Sequence, residues 1–130
     1  MRILPAAIFA AALSAPALAQ EFKRTVLQRV DVPLGVPHES VFGMGEVPPG
    51  VSAGRHTHPG VEMLVVVDGE VDFMIEGEAP KHLKSGDSML VPVGKAHDVR
   101  GAGSSTAKII STWMVEKGKP MATPAPVGAK

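Results

Sequence analysis

Residues 50–69 read GVSAGRHTHPGVEMLVVVDG, and the alternation within this stretch decides the fold. His56 and His58 are two residues apart, so on a strand both side chains leave the same face. Glu62 follows at even spacing, past a point where Pro59-Gly60 allows a kink. Asp68-Gly69 is a two-residue hairpin signal, because such turns need positive φ at both central positions and these residue types tolerate it. A hairpin closed there pairs Val67 with Glu70, Val66 with Val71, Leu64 with Phe73 and Glu62 with Ile75. Val71, Phe73 and Ile75 alternate with the polar Glu70, Asp72 and Glu76, so the odd-numbered set faces inward and Leu64 and Glu62 share its face. An unpaired carboxylate facing an apolar interior is costly, so Glu62 needs a cation or a donor. Two imidazoles and one carboxylate on one interior face suit zinc, manganese, iron, nickel or copper. Such a cation would also remove the burial penalty on Glu62.

Residues 86–101 read GDSMLVPVGKAHDVRG. The turn at Pro92-Val93-Gly94 swings the chain so that His97 enters the interior from a neighbouring strand, as a fourth candidate ligand. Short strands are expected over residues 24–32, 40–47, 61–76 and 88–91, with one or two more across 99–115, broken at 101–105. Pro and Gly punctuate the chain every few residues, and no stretch shows an amphipathic helix period. The expectation is an all-β domain built as a barrel or jelly roll.

These two segments resemble the paired motifs of the cupin superfamily. The first family motif runs Gly, five residues, His-x-His, three or four residues, Glu, six residues, Gly; Gly50, His56, His58, Glu62 and Gly69 satisfy it. The second runs Gly, five residues, Pro-x-Gly, two residues, His, three residues, Asn; Gly86, Pro92, Gly94 and His97 satisfy it, and Gly101 stands where the family has Asn. That Asn is not a metal ligand in the family, so the departure concerns a local turn. The resemblance implies a double-stranded β-helix (jelly-roll) barrel. It implies one divalent metal ion held by His56, His58, Glu62 and His97 near the open end, with one or two coordination positions left for water or substrate.

The sequence has 130 residues, the length of one domain. It opens MRILPAAIFAAALSAPALAQ, with a positive Arg2, an apolar stretch over residues 3–13, and small residues in Ala17-Leu18-Ala19 where a signal peptidase reads. The apolar run is broken by Pro5, Ser14 and Pro16 and falls short of the ~20 residues a membrane span needs. A signal peptide over residues 1–19, cleaved after Ala19, is therefore expected, with a periplasmic or secreted product and no stable membrane span once the leader is removed. The alternative is an uncleaved N-terminal anchor, which also places the domain outside the cytoplasm. The cupin domain is then residues 20–116, and residues 117–130, KGKPMATPAPVGAK, read as a flexible Pro/Ala-rich tail. The absence of cysteine removes both disulfides and thiolate ligands. Thirteen Lys and Arg balance thirteen Asp and Glu, which argues against a nucleic-acid partner.

Met63, Val65 and Val67 point away from the interior and are also apolar, which requires a cover. The N-terminal strand or a second subunit would supply it; cupins often pair this way, so a homodimer is expected. Leu64, Phe73 and Ile75 are core residues that also line a pocket beside the ligands. Met44, Met89, Trp113 and Met114 stay open between pocket wall, core and dimer contact. His38 and His82 read as surface residues. Arg55 alternates with His56 and points away from the metal, and Arg100 reads as solvated surface.

Three functions fit the resemblance. The favoured one is a small-molecule oxidoreductase of dioxygenase or germin-like type, with iron, manganese, copper, nickel or zinc as candidate ions. The second is a non-redox isomerase, decarboxylase or lyase in which the metal polarises an oxygen. That chemistry needs a proton donor or acceptor, and the chain has no tyrosine to serve as one. The third is a non-catalytic module that binds a small ligand or the metal itself.

Overall fold

In the computed structural model, residues 20–33 and 37–126 are described; the expected leader over residues 1–19 and the last four residues of the tail lie outside them. Ten strands follow in chain order: β1 Lys23–Pro33, β2 Pro37–Val47, β3 His56–Thr57, β4 Gly60–Asp68, β5 Glu70–Ile75, β6 Lys81–Lys84, β7 Ser88–Val91, β8 His97–Ala102, β9 Ala107–Glu116 and β10 Thr123–Pro124. They form two five-stranded antiparallel sheets, in the orders β1-β2-β9-β4-β7 and β10-β3-β8-β5-β6. This is the all-β jelly-roll barrel that the alternation and turn spacing predict. No helix among the described residues is long and apolar enough to cross a membrane.

Period-two burial explains each strand's place. On β9, Ala107, Ile109, Ser111, Trp113 and Val115 are buried, and on β4, Gly60, Glu62, Leu64 and Val66 are. These meet Val71, Phe73 and Ile75 of β5, and Val99 of β8, to fill the space between the sheets.

The hairpin at Asp68-Gly69 does not form. β4 pairs with β7 and β9, and β5 pairs with β6 and β8, so the two strands belong to different sheets. Only Gly69 takes positive φ, at 73°, and Asp68 does not, so the two-residue turn lacks its first requirement. The Ala107 Cα lies 2.8 Å from where a Gly69 Cβ would stand, which keeps this position a glycine. The chain therefore arches from one sheet to the other. Residues expected side by side in a ladder instead belong to opposing inner faces. The inward set is unchanged, because either arrangement turns the same alternate residues toward the core.

Gly101 has a specific reason to replace the family's Asn. A Cβ there would stand 2.0 Å from the Pro48 carbonyl oxygen. The backbone at 101 instead bonds the loop before β3, with Gly50 N–H donating to Gly101 O at 2.8 Å and Gly101 N–H to Val51 O at 2.9 Å.

The tail is not loose over its described part. Thr123 and Pro124 pair with Thr57 and His56 as β10, and Ala125 N–H donates to Arg55 O at 3.0 Å. Met121 packs against Val41, Trp113 and Val115. The composition hides this docking: one methionine supplies the apolar anchor, and an extended Thr-Pro-Ala backbone satisfies the open edge of the two-residue strand β3.

Candidate metal centre

The four expected ligands come from three strands and one loop. His56 sits on β3, His58 just after it, Glu62 on β4, and His97 at the start of β8, where it pairs directly with His56. All four are buried: His56 is 8 % exposed, Glu62 5 %, His58 2 % and His97 2 %. One donor atom from each histidine lies within 4.8 Å of the others, close enough to share one ion. The Glu62 Oε2 atom lies 3.2 Å from both His58 Nε2 and His97 Nε2.

Backbone carbonyls set the orientation of every ring. His56 Nδ1 meets Gly54 O at 2.6 Å, and His97 Nδ1 meets Lys95 O at 2.9 Å. His58 Nδ1 bonds the Met121 carbonyl, supplied by the C-terminal segment. A carbonyl oxygen only accepts, so each Nδ1 carries the proton and each Nε2 turns its lone pair inward. Trp113 Nε1–H donates to His58 Nε2 at 3.2 Å, a hydrogen bond that an ion bound at that nitrogen would replace. The Phe73 ring stacks on His97 at 5.8 Å with a 12° tilt and fixes its plane.

This arrangement fits a cation. The Nε2 atoms of His58 and His97 face the Glu62 carboxylate, and a proton or a metal ion between them makes that contact favourable. Burial lowers the pKa of His56, and the nearby His97, His58 and Arg24 lower it further against the Gly54 hydrogen bond, so His56 resists a second proton. Burial alone would raise the Glu62 pKa, but the His58 and His97 imidazoles outweigh it and hold the carboxyl well below its ordinary range. The buried His97 Nε2 has no hydrogen-bond partner among the described residues, despite its approach to Glu62. Three histidine nitrogens are placed to share one metal ion, with the Glu62 carboxylate 3.2 Å from two of them.

The cavity at the centre is about 10 Å³, room for roughly one water molecule or one ion. Leu64 and Phe73 line it as expected from sequence. Ile75 does not: it lies in the core behind His97, its pairing partner on β8, and is not part of the cavity wall. Arg55 turns away and bonds Glu76 Oε1 at 2.8 Å. His82 is exposed and lies against Asp72, outside the site. Sequence reasoning missed Phe22 and Arg24 on the entry side, Ser111 in the wall and the Met121 carbonyl, and left Trp113 undecided. No local pattern marks them, since each reaches the site through strand pairing that is distant in sequence.

Comparison with known proteins places this geometry. Residues 43–113, more than half of the chain, match the cupin domain family. Over 54 residues the chain is 35% identical to the dimethylsulfoniopropionate lyase DddQ of Ruegeria pomeroyi, covering 42% of this chain and 27% of that protein. The crystal structure of that lyase superposes with a TM-score of 0.67 at 23% identity, covering 83% of this chain and 54% of the other. The chain thus spans about half or less of the lyase it matches. An uncharacterised Klebsiella pneumoniae protein with a double-stranded β-helix domain superposes with a TM-score of 0.68 at 22% identity, over 86% of this chain and 90% of that one. An oxalate oxidase in complex with the substrate analogue glycolate gives 0.65 at 20% identity, over 91% and 69%. At these identities the structures speak for the fold alone. The family match rests on the segment that carries the histidines, the glutamate and most of the barrel, and by it the chain belongs to the cupin domain family.

Proposed function

We propose that the protein is an exported, mononuclear metal-binding cupin that transforms a small organic molecule, with dioxygenase-like oxidation as the favoured reaction. The observation that supports this reading is the gathering of three histidine nitrogens within 4.8 Å of one another beside Glu62, next to a cavity with no separate lysine, tyrosine or carboxylate among its described lining residues. Bound there, iron, manganese or copper supplies redox chemistry, and zinc supplies polarisation without it. The chain's own groups hold the ion through His56, His58, His97 and Glu62. Leu64, Phe73, Val99 and Ile109 exclude bulk water, and Ser111 adds a hydroxyl.

Oxygen uptake by iron-, manganese- or copper-loaded protein, across a panel of phenols and organic acids, tests the oxidative reading. Uptake that depends on His97 supports it, and none with any metal sinks it. The likeness to a lyase over 54 residues favours a second reading, non-redox elimination or isomerisation. A lyase that relies on a tyrosine base is no template, because the chain has no tyrosine. Turnover that persists with zinc would select this second reading, and tight binding without turnover would select a binding module.

Export and dimerisation belong to the same proposal. The leader-like residues 1–19 direct the domain to the periplasm or outside. The outer face of β4, β7 and β9 exposes Met63, Leu90 and Met114, and Val67 and Val93 are exposed nearby. Met63 pairs with Leu90, so these two side chains adjoin. The N-terminal strand does not cover them, because β1 lies at the opposite edge of that sheet. A second subunit is the cover this reading proposes.

A further inference from the structure

Arg24 is the feature that the metal site leaves unexplained. It lies on β1, and its guanidinium carbon stands 5.3 Å from the Trp113 ring centre and 5.4 Å from that of Phe22. Two aromatic rings hold the plane of the guanidinium. Its Nε is buried with no hydrogen-bond partner among the described residues. A buried donor without a partner is costly, and an edge-on guanidinium is shaped for bidentate bonding to a carboxylate.

The surroundings favour an anion. Arg24, Phe22 and His56 belong both to the inner cavity and to an outer vestibule of about 280 Å³. The vestibule is walled by these three with Ala53, Gly54, Arg55, Ala122 and Pro124, and no carboxylate is among them. Arg24 and Phe22 therefore form the partition between solvent and the metal position. A divalent ion and Arg24 together outweigh the single negative charge of Glu62, so the loaded site carries a net positive charge.

We infer that Arg24 and the metal position together form a binding site for the carboxylate of a small organic anion, which enters through this vestibule. The inference rests on the proposed metal-dependent function and narrows its substrate to a class. The inner cavity has room for about one water, so the body of the anion occupies the vestibule. Its carboxylate then reaches between Arg24 and the ion, and a side-chain shift of Phe22 and Arg24 joins the two spaces. The competing role for Arg24 is to balance the charge of Glu62, in which case its loss would alter metal affinity and nothing else.

Calorimetric titration separates these roles. Propionate and its neutral isostere propionamide are titrated into the full chain, zinc-loaded and metal-free, with zinc uptake measured separately. Propionate should bind the zinc-loaded protein, and propionamide should bind about tenfold weaker or not at all. Arg24→Gln should weaken propionate about 10- to 100-fold while zinc affinity changes only about threefold or less. Equal propionate affinity in parent and variant, or no propionate binding to the parent, overturns the inference. If Arg24→Gln does not fold, Arg24→Lys carries the same comparison, since it keeps the charge but loses the planar fork and should also weaken propionate. If zinc itself does not bind, the metal reading fails. Propionate binding to the metal-free protein, lost or kept on removing Arg24, then decides the subsite by itself.

Discussion

Ending the chain after Lys119 should weaken metal binding, although every ligand would remain. The deletion removes β10 and the Met121 carbonyl, which accepts the hydrogen bond from His58 Nδ1. His58 is 2 % exposed, so its ring plane is set by that carbonyl and by the Trp113 indole rather than by solvent. A buried donor left without a partner costs about 1–3 kcal/mol, and a water admitted by the missing tail recovers part of that. The net is about 1–2 kcal/mol, or roughly 5- to 30-fold in metal affinity, which overlaps the roughly 10- to 100-fold typical of partners that orient metal-bound histidines. Competition against a chelator, with the full chain and the shortened one side by side, measures it. Met121→Ala is the control, because it keeps the carbonyl and removes only the side chain packed on Val41, Trp113 and Val115. It should lower the melting temperature and leave metal affinity within about threefold. A shortened protein that keeps its β-sheet circular dichroism and binds metal within about twofold of the full chain would show that the tail does not orient His58.

Acidification should destabilise the metal-free protein below pH 6.5, the ordinary histidine value from which burial lowers His56. The unfolded chain then binds a proton that folded His56 refuses, so folding free energy falls with pH; urea titrations at about pH 7.5 and about pH 5.5 should show this, and His56→Gln should flatten it. Glu62 extends the loss: its contribution is complete above 4.5 and disappears as pH falls toward its lowered folded-state value. Restoring the family residue with Gly101→Asn should cost about 1–3 kcal/mol or more in denaturant unfolding, since its Cβ would stand 2.0 Å from the Pro48 carbonyl; an unchanged midpoint would refute the clash. Light scattering should find a dimer at micromolar concentration, and Leu90→Glu on the exposed face beside Met63 should give a folded monomer; a parent that is already monomeric defeats the dimer.

The contrast between Glu62 and Arg24 shows which parts of the site a sequence can carry. Glu62 was found from the alternation of Val71, Phe73 and Ile75 carried across the Asp68-Gly69 turn, because an acidic residue in phase with them contradicts the apolar face it sits on. His56 and His58 share a face for the same local reason. Arg24 reaches the site only because β1 pairs with β2 and β2 with β9, bringing it beside Trp113. No spacing within residues 20–33 announces that pairing. The Asp68-Gly69 turn marks the boundary between the two kinds of information. Its residue types correctly fixed where the chain reverses, and alternation correctly fixed which side chains turn inward. Whether the two strands share a sheet depended on the φ of Asp68 and on competition from β7, β8 and β9, which are distant in sequence. The Met121 carbonyl lies beyond any side-chain pattern, since the backbone group that orients His58 is one every residue but its position possesses in equal measure.

The three carbonyls acting on the histidines come from three separate places: the loop before β3, the turn before β8 and the C-terminal segment. Each fixes one ring, and together they gather three ring nitrogens within 4.8 Å of one another, two of them 3.2 Å from Glu62, before any ion arrives. Such an arrangement calls for a shared proton or a cation, because two ring nitrogens stand 3.2 Å from a carboxylate in a buried site. The barrel maintains it through contacts that do not involve the ligand atoms, including the Phe73 ring on His97 and the backbone carbonyls on the three Nδ1 atoms. A cation entering there meets donors already gathered and needs little rearrangement of the protein, so its binding energy adds directly to folding stability. Arg24 shows the complementary logic on the entry side. Its positive charge would oppose a second cation but favour an anion that joins the first, so the same walls that select one metal ion also select the charge of what approaches it.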